Sequence, residues 1–445
     1  MTIPLVNNLR LPSTLRALRH RNYLLFISGQ AVSLTGGWIQ GTAQGWLVYR
    51  LTSDPSMLGW VSFASQAPVL ALGLIAGIVS DSVNRLRLII LMQLLAMGQA
   101  LVLALLTLLY GANGQPLIQI WHILLLATFA GVLQAFDLPA RQAFLMQLVP
   151  REDLGNAVAL NSLTFNAARI IGPSIAGGMI AILQRLNPGR EAFGEGMCFA
   201  VNTLSFFGVL IQLHRMRMPP GALRPFRGTS KGFLVEGLRY IGKHRHIRYI
   251  LEHAGYMALF GLPYLVMIPV FAKDVLAGNS TTYGWLMTSI GAGALAGGVG
   301  MAKREQIRGI GTLIGTATAG FAVLVIIFSW LKIMALACVT LALAGFCMVS
   351  VMIGVQTVIQ TLVSEGFRGR VMAYYSMVAV GLMPFGSLAI GASIKAFGPE
   401  WGMTINGVIC LGVAALFFWR LPGIRAAARA TPEYHRAVRR ADTNA

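Results

Sequence analysis

Twelve runs of roughly 20 mostly apolar residues, parted by short polar turns, constrain this 445-residue chain more than any single motif, because about that length is needed for a helix to cross a bilayer. They lie at 23–48, 57–80, 88–110, 117–138, 158–183 and 197–213, then at 249–272, 283–301, 310–331, 333–360, 371–397 and 402–420. No water is present in a bilayer core to satisfy backbone N–H and C=O groups, so each run must be helical. The expected fold class is therefore all-α and integral to the membrane, with twelve transmembrane helices. The run at 333–360 is too long for one upright crossing and should tilt or emerge. Composition agrees: only 11% of residues are charged, against about a quarter in a soluble domain.

The charges that remain give an orientation. With the N-terminus inside, 28 of the 35 Lys and Arg fall in cytoplasmic segments, six outside (Arg50, Arg185, Arg190, Lys273, Lys332, Lys395) and one, Arg169, within a span. Basic residues near span ends are retained on the cytoplasmic side, so both termini are expected there, at the cell (inner) membrane. The net charge of +20 is spread over loops rather than gathered in a patch with interleaved aromatics, which argues against a nucleic-acid partner. Anionic lipid head groups are the natural partner for such loops. Met1 to Asn22 leads into a full span without a small-residue cleavage pattern, so no removable signal peptide is expected. Cys198, Cys338, Cys347 and Cys410 all lie inside apolar runs, a pattern of packing residues rather than of a disulfide or zinc framework.

An internal repeat organises the twelve runs. Gln142, Leu148, Val149, Gly155, Ala159, Ser162, Gly172 and Gly177 recur without a gap as Gln356, Leu362, Val363, Gly369, Ala373, Ser376, Gly386 and Gly391, an offset of 214. Gly73 and Gly77 recur as Gly293 and Gly297 at an offset of 220, and glycines so spaced let helices approach closely. Repeats of this size are a common plan in transporters. Two pseudo-symmetric six-helix bundles, 23–213 and 249–420, are thus expected between a segment 1–22 and a tail 421–445. The linker 214–248 holds nine Lys or Arg and one acid, Glu236. Within it, Phe233, Leu234, Leu238 and Ile241 fall on one side of a helix and Arg239 and Lys243 on another, which suits a helix lying on the inner membrane surface.

The turn between the second and third runs carries Gly77, Asp81, Asn84, Arg85 and Arg87. Asp81 can cap a helix or pair with a base, and Arg85 can reach an acid on a neighbouring span, for which Asp137 is the best candidate. This turn resembles the signature between spans two and three of the major facilitator superfamily, and the likeness covers nearly the whole chain. Asn84 stands where that pattern has glycine, and Asn tolerates a left-handed backbone better than other residues. The resemblance implies two bundles that rock about a central cavity, with this cluster closing the cytoplasmic side. Gln30 to Trp38, Gln44 to Tyr49, Asp137 to Gln142 and Ala168 to Pro173 further resemble the exporter branch that includes the enterobactin exporter and macrolide efflux pumps. That likeness implies proton-driven efflux. Gly172 and Pro173, followed by Gly177 and Gly178, resemble the superfamily's antiporter motif; proline there removes a backbone donor and bends the helix.

Two charged residues lie at membrane depth. Arg169 costs about 2.5 to 3.5 kcal/mol there on insertion scales, so it should face a cavity or pair with Asp137 or Glu252, as a fixed bridge or as a proton or substrate residue. Glu252, beside His253 and near Tyr256, suits either a proton carrier or an interfacial anchor with Arg248. On the first span Gln30, Ser33, Gly37, Gln40 and Gln44 share one helical face, and Gln30, Gln40 and Gln44 are the expected cavity-lining residues. The histidines form no ligand set and no phosphate-binding loop is present, so neither a metal, a cofactor nor enzymatic activity is expected. The reading is a secondary transporter, a monomer by expectation, that exports a small amphipathic molecule, a siderophore or drug-like compound, against protons. A lysophospholipid or metabolite importer of the same fold and a non-transporting membrane sensor remain as alternatives.

Overall fold

The computed structural model describes residues 13–216, 232–304 and 309–431. Its long elements are helices, and an isolated bridge pairs Tyr110 with Pro116. The first half builds α1 (Arg21–Thr52), α2 (Pro55–Ser82), α3 (Arg85–Leu108), α4 (Ile120–Leu148), α5 (Leu154–Leu186) and α6 (Phe193–His214). A short helix α7 (Gly232–Lys243) precedes α8 (Arg245–Val275), α9 (Ser280–Ala302), α10 (Ile310–Trp330), α11 (Met334–Leu362), α12 (Glu365–Phe397) and α13 (Pro399–Arg429). Ten of these helices are long and apolar enough to cross a membrane. The helices α1 and α2, with 32 and 28 residues, have the length to complete the twelve.

The repeat seen in the sequence is a repeat of structure. Both α4 and α11 have 29 residues, and both their ends are displaced by the same 214 positions. At 1.5 Å per residue α11 measures about 44 Å, so it outruns a hydrocarbon core of about 30 Å. The last helix continues past residue 420 to Arg429, through the strongly helix-forming Ala426, Ala427 and Ala428.

Proline acts differently from place to place. In α8 the α-helix stops at Tyr256 and is followed by a π turn (Met257–Gly261), a 3-10 turn (Leu262–Met267) and a second π turn (Phe271–Val275). Pro263 and Pro269 offer no N–H to the preceding turn, and the backbone accommodates this by widening and tightening. A similar break at Leu382 in α12 precedes Pro384. By contrast α4 and α5 stay helical through Pro139 and Pro173.

The chain divides into two compact units: Met1–Ser53, Ala67–Gly228 and Asn279–Gly284 form unit 1, and Asp54–Gln66, Thr229–Gly278 and Trp285–Ala445 form unit 2. At one end of unit 1, Tyr23, Phe26, Ile89, Phe144 and Leu148 make a buried cluster, with Phe26 edge-on to Phe144 at 5.8 Å. The Tyr23 hydroxyl donates to the Ala157 carbonyl at 2.8 Å, and the amide of Ala17, from the 3-10 turn before α1, donates to Asn156 Oδ1 at 2.8 Å.

Lipid tails are as apolar as Leu, so close packing and polar contacts hold such helices together. In unit 2 the second glycine pair does this: a Cβ on Gly293 would overlap the Ala342 carbonyl, and one on Gly297 would lie 2.6 Å from the Phe346 carbonyl oxygen. The first pair does not, since a Cβ on Gly73 or Gly77 would meet nothing within 4 Å among the described residues. The close approach that the spacing suggests is therefore made by α9 alone.

The linker helix packs on the second half of the chain through one of its faces. Gly237, Tyr240 and Ile241, at helical spacing, form the face of α7 that packs on α12: Gly237 meets Arg370 and Tyr374, and Tyr240 stacks on Phe367 at 4.5 Å. Arg370 also pairs with Glu236 at 3.0 Å. Leu238, grouped with Ile241 in the sequence reading, is left uncovered by protein together with Val235. The aromatic stack and the ion pair select that face. The side chains of Phe233 and Leu234 lie outside the described residues.

Candidate functional site

Unit 1 holds a polar network in its helix core. On α4 Asp137 and Arg141 stand one turn apart, which brings them together, and Arg141 Nε lies 2.5 Å from Asp137 Oδ2. Both side chains are mostly buried, at 13% and 20% exposure. Two further helices complete the cluster: Arg141 Nη1 donates to Gln30 Oε1 of α1 at 3.0 Å, and Gln93 Nε2 of α3 donates to Asp137 Oδ1 at 3.3 Å. A buried charge pair is sustained only when its remaining polar atoms find partners, and the two glutamines supply them.

A second network lies further along the same helices. Asn202 Nδ2 of α6 donates to Gln40 Oε1 at 2.6 Å, and Gln40 Nε2 donates to Gln99 Oε1 of α3 at 3.3 Å. Gln40 thus ties α1 to α3 and α6 within the bundle, where the sequence reading has it lining a cavity. Gln44 is half-buried on α1.

The helices α1 and α5 meet at Trp38. Its ring is edge-on to Phe165 at 6.0 Å, and Arg169 Cζ stands 5.9 Å from the ring centre. Gly172 makes room for this, because a Cβ there would collide with Trp38 Cβ and lie 3.2 Å from Thr35 O. Further along α5, Gly177 packs on Gly284, 2.8 Å from the Gly177 Cβ position to the Gly284 Cα, and the Pro173 carbonyl oxygen also faces Gly284. Arg169 is therefore set against Trp38, while Asp137, its expected partner and that of Arg85, is held by Arg141. An acid and a base at i and i+4 on one helix need no second helix to meet, and that proximity decides the pairing.

In the turn after α2, Asn84 caps α3: its Oδ1 accepts from the Arg87 amide at 3.2 Å. Its φ of −67° is ordinary extended backbone, so the glycine-like, left-handed role weighed for it does not apply. Gly77 is partly exposed, Arg85 half-buried and Arg87 exposed. The Asp81 side chain lies outside the described residues.

In unit 2 Glu252 is clamped by two arginines, Arg420 Nη1 of α13 at 2.5 Å and Arg248 Nε of α8 at 3.5 Å. The guanidinium of Arg420 also lies over the Tyr249 ring at 4.4 Å. Arg248 is the partner weighed for Glu252 in its anchor reading, and Arg420 is a second one. His253 faces the bundle core instead, with Nε2 3.1 Å from Thr318 Oγ1 and its ring 4.5 Å from that of Phe417.

An apolar cleft opens beside the irregular middle of α8. Met257 and Leu262 of α8, Met348, Val351 and Met352 of α11, and Tyr375 of α12 line it. Methionine is unbranched and polarizable, so such a wall adapts to ligands of varied shape. Shifting Asp137 and Arg141 by the repeat offset lands on Val351 and Val355, both of which line this cleft. Equivalent places in the two copies therefore carry a charge pair in one and an apolar wall in the other.

Sequence reasoning missed Arg141, Gln93 and Asn202 as partners, although the i, i+4 spacing of Asp137 and Arg141 is a readable signal. It also missed the buried pair of Arg50 and Glu195. Among the described residues no group of three or more His, Cys, Asp or Glu is placed to hold a metal.

The family model for transmembrane secretion effectors matches residues 12–441. The staphyloferrin A transporter of Staphylococcus aureus is 24% identical over 397 residues, covering 88% of this chain and 95% of that protein. The multidrug efflux pump Tap of Mycolicibacterium fortuitum is 27% identical over 416 residues, covering 89% of this chain and 96% of the pump. Among solved structures, a D-xylose-proton symporter superposes with a TM-score of 0.72 at 14% identity, covering 91% of this chain and 98% of that one. A bacterial homologue of the human lysosomal transporter Spinster, inward-facing and occupied, gives 0.67 at 15% identity, covering 90% and 96%. Multi-pass topology, a duplicated six-helix plan and a family match over nearly its whole length make this chain a major facilitator superfamily transporter of the transmembrane secretion effector family.

Proposed function

We propose that this transporter exports a small amphipathic molecule, a siderophore or drug-like compound, in exchange for protons by alternating access. The observation that carries the reading is the likeness, along nearly the full length of the chain, to a siderophore transporter and to a multidrug efflux pump. The apolar, methionine-lined hollow of unit 2 is in keeping with cargo that has an apolar part. The placement of basic residues supports cytoplasmic termini.

In this reading Gly77, Asp81, Asn84, Arg85 and Arg87 form the cytoplasmic gate, and Gly172 and Pro173 the conformational joint between α5 and α1. The Asp137–Arg141 pair, which holds Gln30 of α1, links the gate to the helix core. Arg169 serves at the α1–α5 contact and Glu252 as an anchor.

The test uses liposomes holding purified protein and a pH-sensitive dye, under an imposed pH gradient, with staphyloferrin A and erythromycin added in turn. Proton movement that depends on one of them supports export by exchange. Cargo equilibration without proton movement overturns the coupling. No movement of either compound overturns the cargo class. The combined substitutions Asp137→Val and Arg141→Val, which make α4 resemble α11 at these positions, should leave a folded protein without flux; undiminished flux would remove the pair from the mechanism.

A further inference from the structure

A fully buried carboxyl sits near one end of unit 1 and takes no part in the networks above. Glu195 is 0% exposed, on the first turn of α6. A glutamate at the third position of a helix ordinarily turns back to the amide before that helix and caps it. Here that amide, of Ala192, donates to the Tyr110 hydroxyl at 3.2 Å, so the carboxyl is released from the capping role. Arg50 Nη1 of α1 stands 3.2 Å from Glu195 Oε1, off the line that a hydrogen bond needs, and beyond the close approach of the residue's own amide neither carboxyl oxygen has a hydrogen-bond partner among the described residues. The same guanidinium donates to the Glu191 carbonyl.

The surroundings are defined from every side. Arg50 faces Glu195 from α1, Tyr110 from the segment after α3, Glu191 from the turn before α6, and Cys198 from one turn further along α6. Arg190 lies over the Tyr110 ring at 5.4 Å. Gly194 and Gly196, pressed on Ile180 and Leu108, seal the flanks. Arg50 is 16% exposed, so one cation links the buried acid to the surface. A carboxyl with a single, imperfectly aligned counter-charge and no aligned donor from another described residue is chemically poised to exchange a proton.

We infer that Glu195 is a proton-binding site of this transporter, loaded from the outer aqueous phase past Arg50. The step is a simple protonation: a carboxylate oxygen takes one proton and becomes a carboxylic acid, and no other bond is made or broken. The proton cancels the charge that holds Arg50, leaving its guanidinium to the Glu191 carbonyl. Arg50 ends the same helix that carries Gln30 and Trp38, so the loaded and unloaded states bias α1 differently. The inference rests on the proton-driven reading and on the N-terminus lying inside.

The closing experiment separates the two. Infrared difference spectra of the protein in liposomes, taken between neutral and acidic pH without cargo, should contain a protonated-carboxyl band that Glu195→Gln removes and Glu236→Gln leaves intact. A band that survives Glu195→Gln overturns the inference. Should Glu195→Gln fail to fold, Arg50→Gln keeps the carboxyl and removes its partner, and must move the pH midpoint of the band; an unmoved midpoint overturns the inference equally. In the dye-loaded liposomes, wild-type protein that moves staphyloferrin A or erythromycin without protons defeats the proton-driven reading itself. Wild-type coupling that Glu195→Gln fully retains defeats the role of Glu195 alone.

Discussion

The helices α4 and α11 are the same length, share Gln142 and Gln356 at equivalent positions, and occupy equivalent places in the repeat. Yet one bears Asp137 and Arg141, joined to each other and to Gln30 and Gln93, where the other bears Val351 and Val355 beside a methionine-lined cleft. The glycine pairs diverge in the same manner: Gly293 and Gly297 are pressed on the backbone of α11, whereas Gly73 and Gly77 face open space among the described residues. Duplication preserved helix length and spacing because these set the membrane crossing. It released side-chain chemistry, so α4 carries a charge pair where α11 carries two valines.

The sharpest way to break this comparison is Val351→Asp, which places the α4 acid on α11. With no arginine one turn on, the buried charge should cost about 3 to 5 kcal/mol, read as a collapse of the thermal unfolding midpoint in detergent. A mild effect would mean that the cleft is wet and that the two copies differ less than their residues suggest. Next comes Gly293→Leu, expected to lose about 3 kcal/mol by forcing α9 from α11, while Gly73→Leu stays within about 0.5 kcal/mol. Equal losses would show that the α2 glycines also pack.

Smaller effects sharpen the picture at the ends of the helices. Asn84→Ala removes the cap of α3 and should cost about 1 kcal/mol, but Asn84→Gly only a few tenths, because the residue acts through its side-chain oxygen and not through an unusual backbone. The smallest effect concerns Asp54 in unit 2, whose carboxyl pairs with Lys395 at 2.6 Å. Burial pushes this carboxyl up, but the hydrogen bonds from Lys395 and the Ser56 amide outweigh it and hold the group below its usual range. A lowered folded value means that the pair stabilises above an unfolded pKa of about 3.9, and that this contribution is lost as pH falls through the folded value. Lys395 is 59% exposed, so solvent screening limits the worth of the pair to about 0.5 kcal/mol. Comparing Asp54→Asn with wild type in unfolding midpoints at neutral and acidic pH should show a small gap that closes in acid.

Much of the fold was legible in the chain itself. Span number and the duplication follow from apolar length and a fixed offset, whereas at Asn84 the sequence reading is a left-handed turn and the structure has a helix cap. The irregular course of α8 has its cause in Pro263 and Pro269, but its π and 3-10 turns are a response to packing that no periodicity reports. The site was legible only in part. Asp137 stood out as an acid at membrane depth, but its assignment to Arg85 or Arg169 overlooked Arg141 one turn away on the same helix. Gln40 stood out as a polar residue on α1, and its side chain turned out to bind Gln99 and Asn202 of neighbouring helices.

What the sequence by itself determined is therefore the class, the count of crossings and the internal repeat, since a helix in lipid must satisfy its own backbone and its length is set by the bilayer. Only the tertiary structure decided which glycine pair packs, which base holds Asp137, and that Glu195 loses its capping amide to Tyr110. Those outcomes depend on which helices lie side by side and how far each is rotated, and apolar surfaces, being alike to lipid, leave that choice to close packing and a few polar contacts.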